Sequence, residues 1–206
     1  MRLTRAEARQ RNREALIEAA IAEMAAKGYA AARLEDIAER ADVTTGAVYS
    51  IFGSKQQLLA ATVEQVGDRI DASTVDLEDP DLTVTAVLHG LAAHYFRMAT
   101  DHQARRHMAF ELELTSAALR DPAVGEILVE AITGAGDKRL SELLTDRRLT
   151  DDPGAPRTNA EQAHRIAVAV NALLGGLAQR AVLAPDTVTE DDFRSAALAL
   201  ATLAHA

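Results

Sequence analysis

At 206 residues the chain can hold a small domain and a larger one, and 48% hydrophobic residues suffice for a core. Aromatics are only 3%, so that core is built from Ala, Leu, Val and Ile, as closely packed helices allow. The lack of cysteine excludes disulfides, thiolate metal sites and cysteine nucleophiles, and a formal net charge of −9 argues against nucleic acid along the whole chain.

The first 13 residues set Arg2, Arg5, Arg9, Arg11 and Arg13 against a single acid, Glu7. From Arg5 to Lys27 the spacing of Leu16, Ile17, Ala20, Ile21 and Met24 predicts a helix, which Gly28 ends. Arg33 to Arg40 and Thr44 to Ser50 predict two short helices around a tight turn, with Val43 plugging the angle between them. This form places a recognition helix in the DNA major groove. Thr44 is its natural N-cap. The small residues Thr44, Thr45, Gly46 and Ala47 let the backbone enter the groove, and their hydroxyls and methyls suit base edges. Ser54 and Gln57 open a fourth helix as a capping box, with Leu58, Leu59, Val63, Val66 and Ile70 on its apolar stripe, fading near Asp76. Residues 1–58 carry a balance of +1 and the remainder −10, so the basic charge is local and favours DNA at one end.

Gly28-Tyr29, Asp36-Ile37-Ala38, Asp42-Val43, Tyr49 and Phe52-Gly53-Ser54-Lys55 resemble the motif of the TetR family of transcriptional regulators over roughly residues 12 to 60. The resemblance implies an all-α fold of about nine helices. An N-terminal three-helix helix-turn-helix DNA-binding domain (1–58) precedes a helical effector-binding and dimerisation domain (59–206). It implies that Tyr49 and Lys55 contact phosphates, and it adds Arg33 and Ser50 to the DNA-facing set. Asp42 replaces the usual turn glycine and predicts a positive φ, which Asp tolerates. Arg33 and Thr45 depart from the usual residues, and Ile51 replaces a frequent His. Arg2, Arg5 and Arg9 form a basic arm for the backbone or minor groove.

Beyond Glu78-Asp79-Pro80-Asp81, helices are predicted over Thr83–Thr100, Gln103–Leu119, Pro122–Thr145 (bent around Gly134 and Gly136), Asn159–Leu183 and Thr189–Ala204, with a loop at Thr150–Thr158. The domain boundary falls on the fourth helix rather than in a flexible linker. Polar residues interrupting apolar stripes, with their neighbours, are the candidate contacts of a small-molecule effector: His94, Tyr95, Met98, His107, Phe110, Glu111 and Asn171. His107 and Glu111, four apart, can face one ligand. Two such groups without a third do not make a metal site, and no metal or cofactor is expected.

A recognition helix without Arg, Gln or Asn binds weakly as one copy, so a homodimer on a pseudo-palindromic operator is expected. Its interface is expected at Ala163, Ala167, Val170, Leu174, Leu177, Phe193, Ala197 and Leu200. Gly134-Ala135-Gly136-Asp137-Lys138 lacks phosphate-loop spacing and there is no nucleophile elbow, so no enzyme is expected. No apolar run approaches the roughly 18 residues that span a bilayer, and no apolar stretch follows the basic N-terminus as in a signal peptide. The expectation is a cytoplasmic, ligand-responsive repressor away from membranes. The alternative is a helical ligand-binding or adaptor protein with a degenerate DNA-binding head.

Overall fold

The computed structural model describes residues 4–204, including all side chains there except those of residues 69–72, 134–135 and 203–204. Among the described residues there is no strand, only an isolated bridge between Arg148 and Arg157. The helices are α1 (Arg5–Lys27), α2 (Leu34–Arg40), α3 (Thr45–Phe52), α4 (Lys55–Ser73), α5 (Val84–Thr100) and α6 (Ala104–Ala118). They are followed by α7 (Pro122–Val129), α8 (Lys138–Leu144), α9 (Ala160–Leu183) and α10 (Glu190–Leu200). The interruption predicted around Gly134 and Gly136 is a π-helical stretch, Glu130–Asp137, between α7 and α8. With α7 and α8 counted together as the one predicted element, there are nine helices among the described residues.

The chain forms two compact units. One holds residues up to Val66 together with Arg106–Val129; the other holds Gly67–Arg105 and the chain from Glu130 onward. The division falls on α4, some way beyond residue 58, and α6 and α7 join the first unit. Apolar spacing alone does not say which helix packs on which.

In the first unit, Leu16, Ile17 and Ile21 of α1, Ile37 of α2, Val48 of α3 and Leu58 and Leu59 of α4 are buried together with Phe110 and Leu114 of α6. Burying each such side chain is worth about 1.5–3 kcal/mol. α1 opens on a capping box in which the Glu7 N–H donates to Thr4 Oγ1 and the Thr4 N–H donates to Glu7 Oε2. It closes at Gly28, φ 83°, where a Cβ would lie 3.0 Å from Glu113 Oε2.

In the second unit, α9 is central. Ala163, Ile166, Ala167, Val170 and Leu174 are fully buried, packed with α5, α8 and α10. Phe193 of α10 is equally buried, edge-on to Phe96 at 5.6 Å. These contacts correct the expected dimer interface. Ala163, Ala167, Val170, Leu174, Phe193 and Ala197 belong to the core of their own chain, and Leu177 and Leu200 are partly buried. A helical stripe marks a buried face without saying whose helix buries it. Leu203, which continues the α10 stripe at helical spacing, and Ile70, from the stripe expected on α4, lie outside the described side chains. The expectation about apolar runs also changes. α9 is long and apolar enough to cross a membrane by length and composition, with a mean hydropathy of 1.6. Only 39% of that apolar window is buried, so α9 also presents apolar side chains away from the core.

Arg147 anchors the segment between α8 and α9. Only 6% exposed, it donates from Nη1 to the carbonyls of Asp79 and Leu82, from Nη2 to that of Leu77, and from Nε to that of Leu143.

Candidate nucleic-acid interface

α2 and α3 are joined by a turn whose geometry follows from Asp42. Its φ is 52°, the left-handed conformation expected at this position. The Val43 N–H donates to the Ala38 carbonyl at 3.0 Å, and Val43 tucks against the core. α3 starts at Thr44, whose Oγ1 accepts from the Ala47 N–H at 3.3 Å. It stops at Gly53, φ 82°. There a Cβ would lie 2.5 Å from Gln57 Oε1. α4 then begins with the Gln57 N–H donating to Ser54 Oγ.

Val48 and Phe52 turn α3 inward, which leaves Thr44, Gly46, Tyr49 and Ser50 exposed and Thr45 and Ala47 partly so; Tyr49 is 54% exposed. Arg33, just before α2, is exposed as well. Lys55 sits differently from the rest of the expected set. Its Nζ donates to the Ala30 carbonyl at 3.2 Å and lies 4.6 Å from the centre of the Tyr29 ring. Partial burial lowers its pKa. The expected basic arm is a helix from Arg5 onward, because the Thr4–Glu7 box nucleates α1 there; Arg2 lies outside the described residues.

A charge network that the sequence reading missed braces α1 against α2. Glu23, 4% exposed, accepts from Arg40 Nε at 2.7 Å and meets Lys27 Nζ at 2.7 Å, while Lys27 also reaches Asp36 at 2.8 Å. The spacing of Glu23 and Lys27 was visible as an i,i+4 pair; the partners on α2 were not. Hydrogen bonds from Lys27 and then Arg40 outweigh desolvation and hold the Glu23 carboxyl below its usual value of 4.5. A depressed folded pKa means stability that is present above the unfolded value and lost as pH falls through the folded one. Glu23→Gln is therefore expected to lower the Tm at neutral pH. Its difference from the parent protein should vanish in melts below the carboxylate range.

The expected effector contacts divide between the units. His107, Phe110 and Glu111 are in the first, with Phe110 in its core and Glu111 exposed. His94, Tyr95, Met98 and Asn171 are in the second, where three of them meet. Tyr95 donates to Asn171 Oδ1 at 2.9 Å, Asn171 Nδ2 donates to Asp137 Oδ1 at 2.7 Å, and the His94 ring stands edge-on to Tyr95 at 5.9 Å. His94 Nδ1 lies 3.2 Å from Ser73 Oγ, and its Nε2 is buried without a partner. Burial, then the nearby Arg97, lowers its pKa and keeps the ring neutral. A separate cavity of about 460 Å³ in this unit is lined by Thr74, Glu78, Arg139, Arg147 and Arg157, and by none of the expected contacts. Among the described residues no cluster of His, Asp or Glu forms a metal site.

Residues 16–62 match the bacterial regulatory proteins of the tetR family, and residues 95–205 match the C-terminal region of BetI-type transcriptional repressors. The HTH-type transcriptional repressor KstR of Mycolicibacterium smegmatis is 38% identical over 68 residues, which are 33% of this chain and 33% of KstR. The HTH-type transcriptional regulator CymR of Pseudomonas putida is 34% identical over 129 residues, 61% of this chain and 60% of CymR. The chain thus spans about a third of the length of KstR. A solved structure of a TetR-family member from Streptomyces coelicolor A3 superposes with a TM-score of 0.68 over 92% of this chain and 97% of that one, at 24% identity, a likeness of fold.

Proposed function

Because this chain belongs to the TetR family of bacterial regulators, we propose that it is a homodimeric, sequence-specific DNA-binding repressor released from its operator by a small molecule. The observation that carries this reading is the solvent-facing side of α3 and its N-cap. Thr44, Thr45, Gly46, Ala47, Tyr49 and Ser50 are presented by a helix whose other face is locked into the core by Val48 and Phe52. Arg33 and Lys55 complete the DNA-facing set, Lys55 by giving up its Ala30 contact. The repressor names of KstR and the regulator name of CymR support the same direction. The protein acts in the cytoplasm, where its operator lies.

With the inner face of α9 committed to the core, the dimer uses the opposite face. Val168, Ala172, Gly176 and Leu183 fall there at helical spacing, and Val168 and Leu183 are 43% and 60% exposed. No atom comes within 4 Å of a Cβ built on Gly176, so a partner helix can approach closely. Val168→Glu is expected to give monomers with an unchanged helical spectrum, read by sedimentation; a dimer persisting at micromolar concentration would remove this face. The effector contacts His94, Tyr95, Met98 and Asn171 in the second unit, and its differential affinity for two states of the dimer sets induction.

The test is fluorescence anisotropy with DNA upstream of the protein's own gene against scrambled DNA, at two salt concentrations. Binding that is sequence-selective and weakens steeply with salt supports the repressor. Equal binding to both duplexes at low salt rejects that site, and no binding to a random-sequence library rejects the DNA-binding head.

A further inference from the structure

The cavity of about 460 Å³ in the second unit has the size of a small-molecule site, yet its lining is unlike the usual apolar one. Only Pro80 and Leu143 are apolar, and no aromatic ring is present. Three guanidinium groups, Arg139, Arg147 and Arg157, line it together with three carboxylates, Glu78, Glu142 and Asp146. One of these charges is fixed. The carbonyls of Leu77, Asp79, Leu82 and Leu143 take four of the five N–H groups of the buried Arg147, which leaves one on Nη2. Arg147 pairs with no carboxylate among the described residues, so carbonyl dipoles alone meet its charge within hydrogen-bonding reach. The backbone beside it is tied down as well. The Thr158 N–H donates to the Arg147 carbonyl and the Asp146 N–H to the Thr158 carbonyl, both at 3.0 Å.

The other charges are loosely held. Arg157 engages only its Nη1, which donates to the Asp146 carbonyl and lies 3.6 Å from the Asp146 carboxylate. Its Nε and Nη2 make no hydrogen bond among the described residues. Glu142 has Lys138 Nζ at 4.0 Å, and Arg139 pairs with Glu78 at 2.8 Å. Ion pairs this exposed contribute little and exchange readily with a competing ion. A simple anion drawn to Arg147 and Arg157 is repelled by Glu142 and Asp146, and a simple cation is repelled by the arginines. A molecule carrying both signs on neighbouring atoms satisfies both sets. We infer that this cavity binds a small zwitterion of the amino-acid class. Its carboxylate meets the remaining N–H of Arg147 and the fork of Arg157, and its ammonium meets Glu142. Thr74 and Thr145 suit a polar side chain on the same ligand, and without an aromatic ring the lining favours a primary ammonium over a quaternary one. None of His94, Tyr95, Met98 and Asn171 lines the cavity, so the site is independent of the effector contacts and of DNA binding.

The experiment titrates the full chain by calorimetry, without DNA, with each of the standard L-amino acids. The tightest binder is then compared with its N-acetyl derivative, which lacks the ammonium, and with its methyl ester, which lacks the carboxylate. Arg157→Gln and Glu142→Gln are titrated with the same three compounds. Both side chains are exposed, so both variants are expected to keep the circular dichroism of the parent protein. At least one amino acid is expected to bind saturably, once per chain. Each derivative and each variant should weaken that binding about tenfold, the loss of one charge-assisted contact. The N-acetyl derivative should bind the parent protein and Glu142→Gln equally, because it has no ammonium for Glu142 to hold. Absence of binding by every amino acid overturns the site. An N-acetyl derivative that binds as tightly as the free amino acid makes the cavity an anion site and overturns the zwitterion. Binding that neither substitution weakens places the ligand elsewhere and overturns this cavity.

Discussion

Arg147→Met is expected to destabilise the second unit by about 4 kcal/mol and to leave it largely unfolded in modest denaturant. The methionine fills most of the arginine's volume but brings none of its donors. The carbonyls of Leu77, Asp79, Leu82 and Leu143 all accept from the guanidinium. A fully buried carbonyl left without a donor costs about 1–3 kcal/mol, and these four, part-buried, contribute about 1 kcal/mol each. Asp79 keeps the Leu82 N–H as a partner, which limits the total. Set against roughly 5–15 kcal/mol for a whole domain, this is among the largest single losses open to the chain. Arg147→Lys should rescue little, because one ammonium cannot span carbonyls that the planar fork reaches from both sides. Urea denaturation followed by circular dichroism checks the result; a midpoint within error of the parent protein would remove Arg147 as the anchor.

Tyr49→Ala is expected to weaken operator binding about 30-fold while leaving stability unchanged. A hydroxyl-to-phosphate hydrogen bond is worth about 1 kcal/mol. Two copies in the dimer give about 2 kcal/mol, at about 1.4 kcal/mol per tenfold. Tyr49 is 54% exposed and is not part of the buried core, so the loss should appear in anisotropy and not in the melting curve. Tyr49→Phe separates the hydroxyl from the ring, and full affinity in both variants would take Tyr49 out of the interface. Phe193→Glu cannot serve as the matching test of dimerisation. Phe193 is fully buried in its own chain, and a carboxylate there would unfold the unit before it separated subunits.

Much of the DNA-binding head was legible along the chain because its determinants are local. The cap at Thr44, the stop at Gly28 and the left-handed Asp42 depend on neighbours within a few residues, and follow from the local physics of helix ends and turns. Spacing put Val48 and Ile51 on the inward face of the recognition helix; Val48 is buried, but its buried companion is Phe52, and Ile51 is only partly buried. The family motif added what spacing does not contain: the assignment of Tyr49 and Lys55 to DNA.

What spacing could not reach was partnership. The stripe on α9 read as a dimer seam and is a chain core; the candidate effector contacts read as one group and are divided between the units, with His94, Tyr95 and Asn171 neighbours in the second. Glu23 read as part of a helix and is the hub of a network reaching Arg40 and Lys27. The sequence by itself determined the helices, their ends, the helix-turn-helix and the local basic charge, since these rest on short-range hydrogen bonding and periodicity. Only the tertiary structure decided which apolar face meets which and where Arg147 finds its carbonyls. Those contacts join residues tens of positions apart, and helical periodicity is the same whatever lies against the helix.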